Sequence, residues 1–389
     1  MGVVPKMKIK FAITSFLLIA SQAGAAPNYQ AIDLGSLGGG TTWATGINES
    51  GQVVGFSTIS LGGPYHAYFW QNDGLGMRDL GTLTPALSYA TSQALGINDT
   101  GQVVGDSYSG TSQAFTTGPQ GVRMIDVSPA NVWSPVATGI NNNGQVVGVF
   151  NDPKIFPSSY AFIMNSDGTG FRDLGTLGGA FSAANGINNA GQVTGNTYAA
   201  GQGQAIHAFI TDANGYNMRD LGTLGGNVSY GHAINNIGQV AGTSSTPSGH
   251  LRAFLTDMNG NNMRDLGNLA QHDDFESWAN GLNDLGHVVG WSATLKGMSA
   301  FVTDPNGTGM YNLNSLTTLP SGVVLSEANG INKLGQIIVR DNVNGHAYLL
   351  TPVPEPTATT MLLAGLTMLG AIGAKRSRKL IGLKREIGV

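Results

Sequence analysis

The chain has 389 residues, 58 of them glycine, and contains no cysteine. Disulfides and thiol chemistry are therefore excluded, and a glycine content about twice the usual share favours tight turns over long helices. Nine of the 19 basic residues lie near the two ends, so residues 26–356 carry 10 basic and 22 acidic residues. Because phosphate binding needs clustered lysine and arginine, this acidic region argues against nucleic acid as a partner.

Residues 1–25 have the three parts of a secretory signal peptide. Three lysines within the first ten residues precede an apolar run over 11–20, and a small-residue Ala-Gly-Ala sequence ends at Ala25. The apolar run is shorter than the roughly 20 residues that a membrane-spanning helix needs, which favours a cleaved signal over an anchor. We expect cleavage after Ala25.

Residues 26–352 consist of one unit written seven times. Each unit contains Gly-Ile-Asn-x-x-Gly-Gln-Val-Val-Gly or a close variant, then an Ala-Phe or Ala-Tyr pair, then Asp-Leu-Gly or a degenerate copy of it. The alanines of the pairs lie 45 or 47 residues apart, at Ala67, Ala114, Ala161, Ala208, Ala253, Ala300 and Ala347. A period this regular indicates a repeat architecture.

Each unit is predicted to form four antiparallel strands. The recurring strings are short, rich in β-prone residues and bounded by glycine or asparagine. The Asn-x-x-Gly segments, and the Asp-x-Asn-Gly segments such as residues 212–215, predict tight hairpin turns, since Asn and Gly tolerate positive φ. We call the strands a (Gly-Ile-Asn), b (Gly-Gln-Val-Val-Gly), c (Ala-Phe) and d (Asp-Leu-Gly).

Four-stranded units of this length are typical of β-propeller blades. The repeat region begins with a d-like strand over residues 31–35 and ends with strands a, b and c only, the last finishing near Leu350. Pairing these two ends would complete a seventh blade and remove the exposed sheet edges. We therefore expect an all-β, seven-bladed β-propeller closed by its N-terminal strand. A β-solenoid is the alternative, because repeats alone do not determine closure.

The repeated strings resemble the HAF repeats of bacterial extracellular proteins, which are named for a His-Ala-Phe triplet that stands here at His207-Ala208-Phe209. The resemblance covers most of residues 31–350. It implies a surface location and a propeller-like fold, and it implies no particular activity.

No metal-binding constellation stands out from the repeats. Histidine occupies the triplet at His66, His207 and His346, but other residues replace it in the remaining units. A metal ring would need imidazoles that converge at fixed spacing. The Asp-x-Asn-Gly turns lack the sixth-position glycine and the bidentate glutamate of an EF-hand loop. We expect no cofactor, with calcium as the alternative.

The chain is not expected to be an enzyme. It has no His-Glu-x-x-His, Gly-x-Ser-x-Gly or P-loop motif and no cysteine nucleophile. The repeated aspartate of Asp-Leu-Gly is expected to tie blades together, since an active site needs only one constellation. The unit-specific acids Asp273, Asp274 and Glu276 could supply a carboxylate pair for glycoside hydrolysis. A polysaccharide-active enzyme on a propeller scaffold is therefore the alternative function.

The loops between strands d and a, and between b and c, differ in length and content among the units. In an antiparallel unit both kinds of loop emerge at the same end, so the variable loops share one face. Aromatic residues are predicted in the d–a loops at Trp43, Tyr89, Trp133, Phe181, Tyr230 and Trp278, with Phe275 near the last. They could stack on sugar rings or fill gaps between blades. This face is the predicted binding surface for extracellular polysaccharide.

The C-terminal region has a different three-part pattern. Pro354, Glu355 and Pro356 precede the uncharged residues 357–374 and the basic cluster 375–379. As a helix, residues 357–374 would be about 27 Å long, near the hydrocarbon thickness of a bilayer. The basic cluster and the short tail 380–389 would stay on the cytoplasmic side.

Residues 353–379 resemble the PEP-CTERM sorting signal that exosortase transpeptidases of Gram-negative bacteria recognise. The resemblance implies export, transient membrane anchoring through 357–374 and cleavage by an exosortase-like enzyme. A plain C-terminal anchor without cleavage is the alternative. The sequence as a whole predicts a cell-surface or biofilm-matrix protein that acts as a non-enzymatic binding or structural module.

Overall fold

The computed structural model describes residues 28–154, 158–201 and 205–353, in which β-strands make up nearly all of the regular secondary structure. Within these ranges no helix is long and apolar enough to cross a membrane. The predicted signal peptide with its cleavage site at Ala25 lies outside the described residues. So do the sorting motif Pro354-Glu355-Pro356, the span 357–374 and the tail that follows it.

The strands are numbered in chain order, beginning with β1 (Tyr29–Asp33). Units 1 and 2 are β2 (Thr42–Ile47), β3 (Val53–Thr58), β4 (Tyr65–Trp70), β5 (Met77–Gly81), β6 (Thr91–Ile97), β7 (Val103–Tyr108), β8 (Ser112–Thr117) and β9 (Met124–Asp126). Units 3 and 4 are β10 (Trp133–Ile140), β11 (Gln145–Asn151), β12 (Ser159–Asn165), β13 (Arg172–Gly175), β14 (Gly178–Ile187), β15 (Val193–Ala199), β16 (Ile206–Ile210) and β17 (Arg219–Asp220).

Units 5 and 6 are β18 (Ser229–Ile234), β19 (Val240–Ser245), β20 (Leu251–Leu255), β21 (Arg264–Asp265), β22 (Ser277–Leu282), β23 (Val288–Thr294), β24 (Gly297–Val302) and β25 (Tyr311–Asn312). A short helix α1 (Leu313–Leu316) and β26 (Thr317–Thr318) precede unit 7, which is β27 (Leu325–Ile331), β28 (Ile337–Asp341) and β29 (Ala347–Pro352). Single 3₁₀ turns lie at Pro119–Gly121, Ala213–Gly215, Met258–Gly260 and Pro305–Gly307.

Strands within a unit pair antiparallel in the order a, b, c, d, as predicted. The turns also follow the prediction: Gly51 in the first Asn-x-x-Gly turn has φ of 74°, and Asn214 in an Asp-x-Asn-Gly turn has φ of 58°. Both values are in the left-handed region that glycine and asparagine adopt most readily. The a–b and c–d turns share one end of the molecule, which we call the base. The b–c and d–a loops share the opposite end, the mouth end.

The core lies between successive units rather than within one. The Phe209 side chain of strand c is fully buried and lies opposite Gly195 of strand b. A side chain at Gly195 would collide with the Ala183 carbonyl oxygen, so glycine is required where strands a and b bulge together. Phe209 packs in one cluster with Val147 and Ala161 of the preceding unit. Burying an aromatic ring of this size contributes about 2–3 kcal/mol.

The aspartate of Asp-Leu-Gly acts within its unit, and the prediction that it ties blades together is wrong. Asp220 lies 2.8 Å from Nδ1 of His207 in the neighbouring strand c and accepts the backbone N–H of Gly222. The arginine that precedes it makes the bond between units, because Arg219 donates to the carbonyl of Asn259 in the next c–d turn. In this Arg-Asp pair, the aspartate therefore binds strand c of its own unit and the arginine binds the next unit.

The first strand of the chain pairs with the last. β1 is antiparallel to β29, in register from Tyr29 opposite Pro352 to Asp33 opposite Tyr348. The N–H of Val353 donates to the carbonyl of Asn28 at 2.8 Å, at the base. On its other edge β1 pairs in parallel with β26. Burial raises the pKa of Tyr29 to about 12, consistent with a strand packed into the core.

Candidate functional site

The asparagine of each Gly-Ile-Asn string is buried at the base. Its Nδ2 donates to the backbone carbonyl of the matching asparagine in the next unit, at 2.9–3.2 Å. The bonds run from Asn48 to Asn98, Asn141, Asn188, Asn235, Asn283 and Asn332, and from Asn332 back to Asn48. Each Oδ1 accepts N–H groups of its own turn, as Asn48 does from Ser50 and Gln52. Each side-chain amide therefore stabilises its own a–b turn and links that turn to the matching turn of the next unit.

A second set of hydrogen bonds joins neighbouring a strands nearer the mouth end. The side chain that makes each bond stands one residue before the glycine of Gly-Ile-Asn or its replacement. Thr45 donates to the Ala94 carbonyl at 2.6 Å, and Asn329 donates to the Ala44 carbonyl at 3.1 Å. Side chains at the same position make the other bonds of this kind: Thr138, Asn185, His232 and Asn280. The a strands are thus held side by side around a common axis.

Two cavities lie on this axis. The mouth-end cavity has a volume of about 240 Å³ and is lined by a-strand residues of every unit, including Thr45, Asn185 and Asn280. The base cavity has a volume of about 220 Å³ and is lined by the buried asparagines and the residues that follow them. Both cavities are lined by the same aliphatic residues: Ile47, Ile97, Ile140, Ile187, Ile234, Leu282 and Ile331.

The units differ most in one cross-strand pair beside the mouth-end cavity. The pair joins the a-strand residue three positions before the glycine to the b-strand residue that follows Val-Val-Gly. We call these pairs the variable row: Trp43–Phe56, Gln93–Asp106, Val136–Val149, Ala183–Asn196, Tyr230–Thr243, Trp278–Trp291 and Glu327–Arg340. Small or buried residues such as Ala44 and Gly55 flank each pair. The strands around the row therefore repeat from unit to unit, whereas the side chains of the row do not.

Large side chains of the row collect in units 5, 6, 7 and 1. Trp278 stacks on Trp291 with 6.1 Å between ring centroids, and on Tyr230 of the preceding unit at 6.0 Å. Trp43 stacks on Phe56 at 4.8 Å, and the Arg340 guanidinium of unit 7 lies 4.6 Å from the Trp43 ring centre. We call this stretch the aromatic arc. The five rings and the Arg340 side chain are all half-buried, so each stays partly exposed.

Polar groups lie among the rings of the arc. Glu327 accepts a hydrogen bond from Asn280 at 3.0 Å and lies opposite Arg340. Burial raises the pKa of Glu327, while the Asn280 hydrogen bond and the Arg340 charge act to lower it. Nδ1 of His232 is 2.8 Å from the Ala279 carbonyl and 3.0 Å from Nε1 of Trp278. Burial lowers the pKa of His232, which favours a neutral ring.

The structure corrects the placement of the predicted aromatic residues. Trp43, Phe181, Tyr230 and Trp278 lie within the first strands of their units rather than in the loops before them, and Trp133 is the first residue of its strand. Tyr89 lies in a loop and is 61% exposed. Trp43, Tyr230 and Trp278 belong to the variable row, whereas Phe181 packs on Tyr198 nearer the mouth end.

The acids considered for glycoside hydrolysis lie outside the variable row. Asp273 and Asp274 are exposed in the loop before β22. The Asp273 carboxylate is 3.9 Å from Arg252, and Asp274 lies 3.6 Å from His272 and 3.8 Å from His250. Such solvent-exposed pairs are typical of a loop surface. Glu276 ends the same loop and offers its carbonyl to the backbone N–H of Ala293.

The predicted histidine and turn positions have structural partners. His66 lies 2.9 Å from Asp79 of its own unit, as His207 lies close to Asp220, and His346 lies 3.0 Å from Asp33 of β1. In the Asp-x-Asn-Gly turns, Asp212 accepts from Asn217 and Asp304 accepts from the Tyr311 hydroxyl. Among the described residues no group of three or more His, Cys, Asp or Glu side chains could hold a metal ion.

Residues 352–379 match the PEP-CTERM protein-sorting motif. The motif supports sorting of this chain by an exosortase-type enzyme and therefore an extracellular protein, as the sequence predicts. No curated protein matches the chain in sequence.

Solved structures similar to this chain share its fold at low identity. A puromycin hydrolase, solved as an S511A mutant, has a TM-score of 0.51 and 11% identity, over 79% of this chain and 53% of that one. The β-propeller domain of Cps50 (Swd1) from Myceliophteria thermophila has a TM-score of 0.49 and 9% identity, over 83% and 100%. A TolB from Agrobacterium tumefaciens has 0.45 and 14%, over 72% and 94%. The described residues are themselves all-β in architecture.

Proposed function

We propose that the chain is an exported surface protein whose units form a closed seven-bladed β-propeller, and whose variable row binds extracellular polysaccharide without cleaving it. Closure is supported by the bond from Asn332 to Asn48 and by the pairing of β1 with β29. A β-solenoid would leave its first and last units apart. The HAF-repeat resemblance agrees with this proposal.

The aromatic arc is the observation that carries the binding function. Partly exposed aromatic rings suit the apolar faces of sugars, and each stacking contact contributes about 0.5–1.5 kcal/mol. Glu327, Arg340 and Asn280 add donors and acceptors for hydroxyl groups beside the rings. A frame that repeats while its row varies is the pattern expected of a ligand surface carried on a fixed scaffold.

The position of the chain exit agrees with binding at the mouth end. Strand c of unit 7 ends at Pro352 beside Gly335 of the a–b turn, so the chain leaves at the base. The sorting motif begins there, at residue 352. A protein held through this tail would turn its base toward the membrane and its variable row toward the surroundings.

The carboxylates of the row support binding rather than hydrolysis. Asp106 belongs to unit 2 and Glu327 to unit 7, with unit 1 between them. The Glu327 carboxylate already accepts from Asn280 and lies opposite Arg340, and no second carboxylate of the row lies in its own unit. No cofactor is part of the proposal.

Affinity electrophoresis tests the proposal directly. The folded region, residues 26–352, is run through gels that contain extracellular polysaccharide purified from the producing strain, and release of reducing ends is measured in parallel. Retardation without release of reducing ends is expected. Release above a boiled control would support the enzyme instead, and unhindered migration would remove the polysaccharide as a ligand. A glycan array then identifies the sugar class.

A further inference from the structure

We infer that the aromatic arc selects acidic polysaccharide, because the Arg340 guanidinium is positioned to bind the carboxylate of an acidic sugar such as a uronic acid. This inference rests on the proposed polysaccharide-binding function and names the class of sugar that the variable row recognises. The surroundings of Arg340, the position of Glu327 and the bonding of the other arginines carry the argument.

The Arg340 guanidinium lacks an acceptor within the protein. Its Nε atom is buried, and no atom of the described residues accepts a hydrogen bond from it. In the same ranges no carboxylate lies within ion-pair distance of Arg340. The guanidinium lies over the Trp43 ring, 4.6 Å from its centre. Partial burial has therefore removed water from a cation without supplying an acceptor, and an anionic ligand would supply one.

The carboxylate opposite Arg340 does not pair with it. Glu327 and Arg340 are directly opposed in β27 and β28, where oppositely charged side chains usually interact. Glu327 instead accepts a hydrogen bond from Asn280 of unit 6 at 3.0 Å. Arg340 lies over Trp43 of unit 1, on the other side. The two side chains therefore contact different neighbouring units, which leaves the arginine without a counter-ion.

The arginines that link the units do have acceptors. Four arginines of the d strands each donate to a backbone carbonyl in the next unit: Arg78, Arg172, Arg219 and Arg264. Arg252 is buried in strand c and donates to two carbonyls of the loop before β22. Arg340 stands in strand b, in the variable row, and has no such bond. It thus differs from the arginines whose role is structural.

A carboxylate matches a single guanidinium in charge and in geometry. The two planar groups form parallel hydrogen bonds, and a guanidinium can stack on an aromatic ring at the same time. Arg340 is the one basic residue among the seven pairs of the row, whereas phosphate-rich chains need clustered basic residues. The acidic residues elsewhere in the domain do not prevent this local contact, because salt screens exposed charges beyond about 8 Å.

Carboxyl reduction of the polymer tests the inference. The probe is extracellular polysaccharide from the producing strain, before and after carbodiimide activation and borohydride reduction, which convert each carboxylate into a neutral primary alcohol. The full-length chain is produced in that strain and recovered from the cell surface, as the parent and as Arg340→Gln. Reduction of the polymer and the substitution should each raise Kd by about tenfold or more. The two together should raise it no further, because both remove the same contact.

Two further variants complete the test. Arg340→Lys keeps the charge but loses the planar fork, so it should retain part of the binding to native polymer. It also replaces Arg340→Gln in the assay where a melting curve shows that the glutamine variant does not fold. The matched control Arg123→Gln removes the same charge from an exposed position at the base, outside the row, and should bind like the parent.

The outcomes separate this inference from the proposed function. A parent protein that binds native and carboxyl-reduced polymer equally overturns acidic-sugar recognition and leaves polysaccharide binding intact. So does an Arg340→Gln variant that binds native polymer like the parent. An equal rise in Kd for both polymers in Arg340→Gln would assign the effect to packing on Trp43 and also overturns the inference. A parent protein that binds neither polymer overturns the proposed function itself.

Discussion

The side-chain amide of Asn332 donates a hydrogen bond to the backbone carbonyl of Asn48 at 3.1 Å, although 284 residues separate them. The same bond joins each asparagine of the base to the one 43–50 residues later. The contact between the two ends of the repeat region is therefore of the same kind as the contacts within it.

Replacing Asn332 by alanine is expected to destabilise the protein as much as the same change at Asn188 in the middle of the array. Each change leaves two turn N–H groups without their side-chain acceptor, at about 1–3 kcal/mol per unsatisfied group. It also removes one of the two donors to a carbonyl in the next unit, which keeps the N–H of the glycine in its own turn. Urea unfolding of both variants measures the costs. A loss of stability in Asn188→Ala with none in Asn332→Ala would mean that the ring is open.

Deleting residues 28–36 is expected to lower the unfolding midpoint sharply and to produce oligomers. The deletion removes β1, which exposes the edge of β29 for pairing with another chain. Shortening the b–c loop 246–250 is the matched control, because it removes no strand. A synthetic peptide of residues 28–36 should restore the midpoint, and an unchanged midpoint after the deletion would favour a solenoid.

Strands and turns could be predicted because their signals are local. Positive φ at Asn214 and Gly51 follows from residue type. The glycines of strand b indicate that the backbone of strand a approaches closely there. Closure is not a local property, and the sequence predicted it only from the complementary strands at the two ends of the repeat region. A bond from each asparagine to the next has the same period in a ring and in a solenoid, whereas the bond from Asn332 to Asn48 and the pairing of β1 with β29 favour a ring.

The variable row was missed, although the sequence contains its signal. Counted from the glycine of Gly-Ile-Asn, Trp43, Tyr230 and Trp278 each stand three residues before it or its replacement, whereas Phe181 stands five residues before. Aligning the units on that glycine also reveals the position after Val-Val-Gly. The row partners Phe56, Trp291 and Arg340 stand there, and Glu327 shares the position of the tryptophans. The sequence prediction placed the aromatic residues in the d–a loops because they stand near turns, and their common position relative to the glycine was therefore not recognised.

The variant Asp106→Asn is expected to be more stable than the parent protein at neutral pH. Burial raises the pKa of Asp106 in the folded state, and the Ser112 hydrogen bond opposes this only in part. At pH values above the folded-state pKa, the charged Asp106 carboxylate therefore lowers the stability of the folded state. The penalty is relieved as pH falls through that value, and it is absent below the unfolded-state pKa of about 4.

Thermal unfolding from pH 7 to pH 3 measures this advantage. It should shrink and vanish as the carboxyl becomes protonated in both states. Asp99→Asn, at an exposed carboxyl of the base, is the control. A constant difference across the pH range would show that the amide acts through packing.

Mature protein extracted from the cell surface is expected to begin at Ala26 and to lack residues 357–389. Proline on both sides of Glu355 disfavours a helix at the motif. Val353, the last described residue, donates its backbone N–H to the carbonyl of Asn28. Intact-mass measurement identifies both ends. The variant Pro354→Ala with Pro356→Ala should keep its tail, and a parent protein that keeps it would reduce the motif to a plain anchor.

The double variant Trp43→Ala with Trp278→Ala is expected to lose retention in gels containing the producer's polysaccharide while it still folds. Both rings are half-buried, so their removal should cost about 1–3 kcal/mol each rather than the 3–5 kcal/mol of a core aromatic. The matched control, Tyr89→Ala with Trp133→Ala, also removes two rings near the mouth end but leaves the aromatic arc unchanged, so it should be retained like the parent. Affinity electrophoresis and a melting curve are run on both. Loss of a cooperative melting transition in the Trp43 and Trp278 variant would identify these rings as core packing, and equal loss of retention in the control would place binding outside the arc.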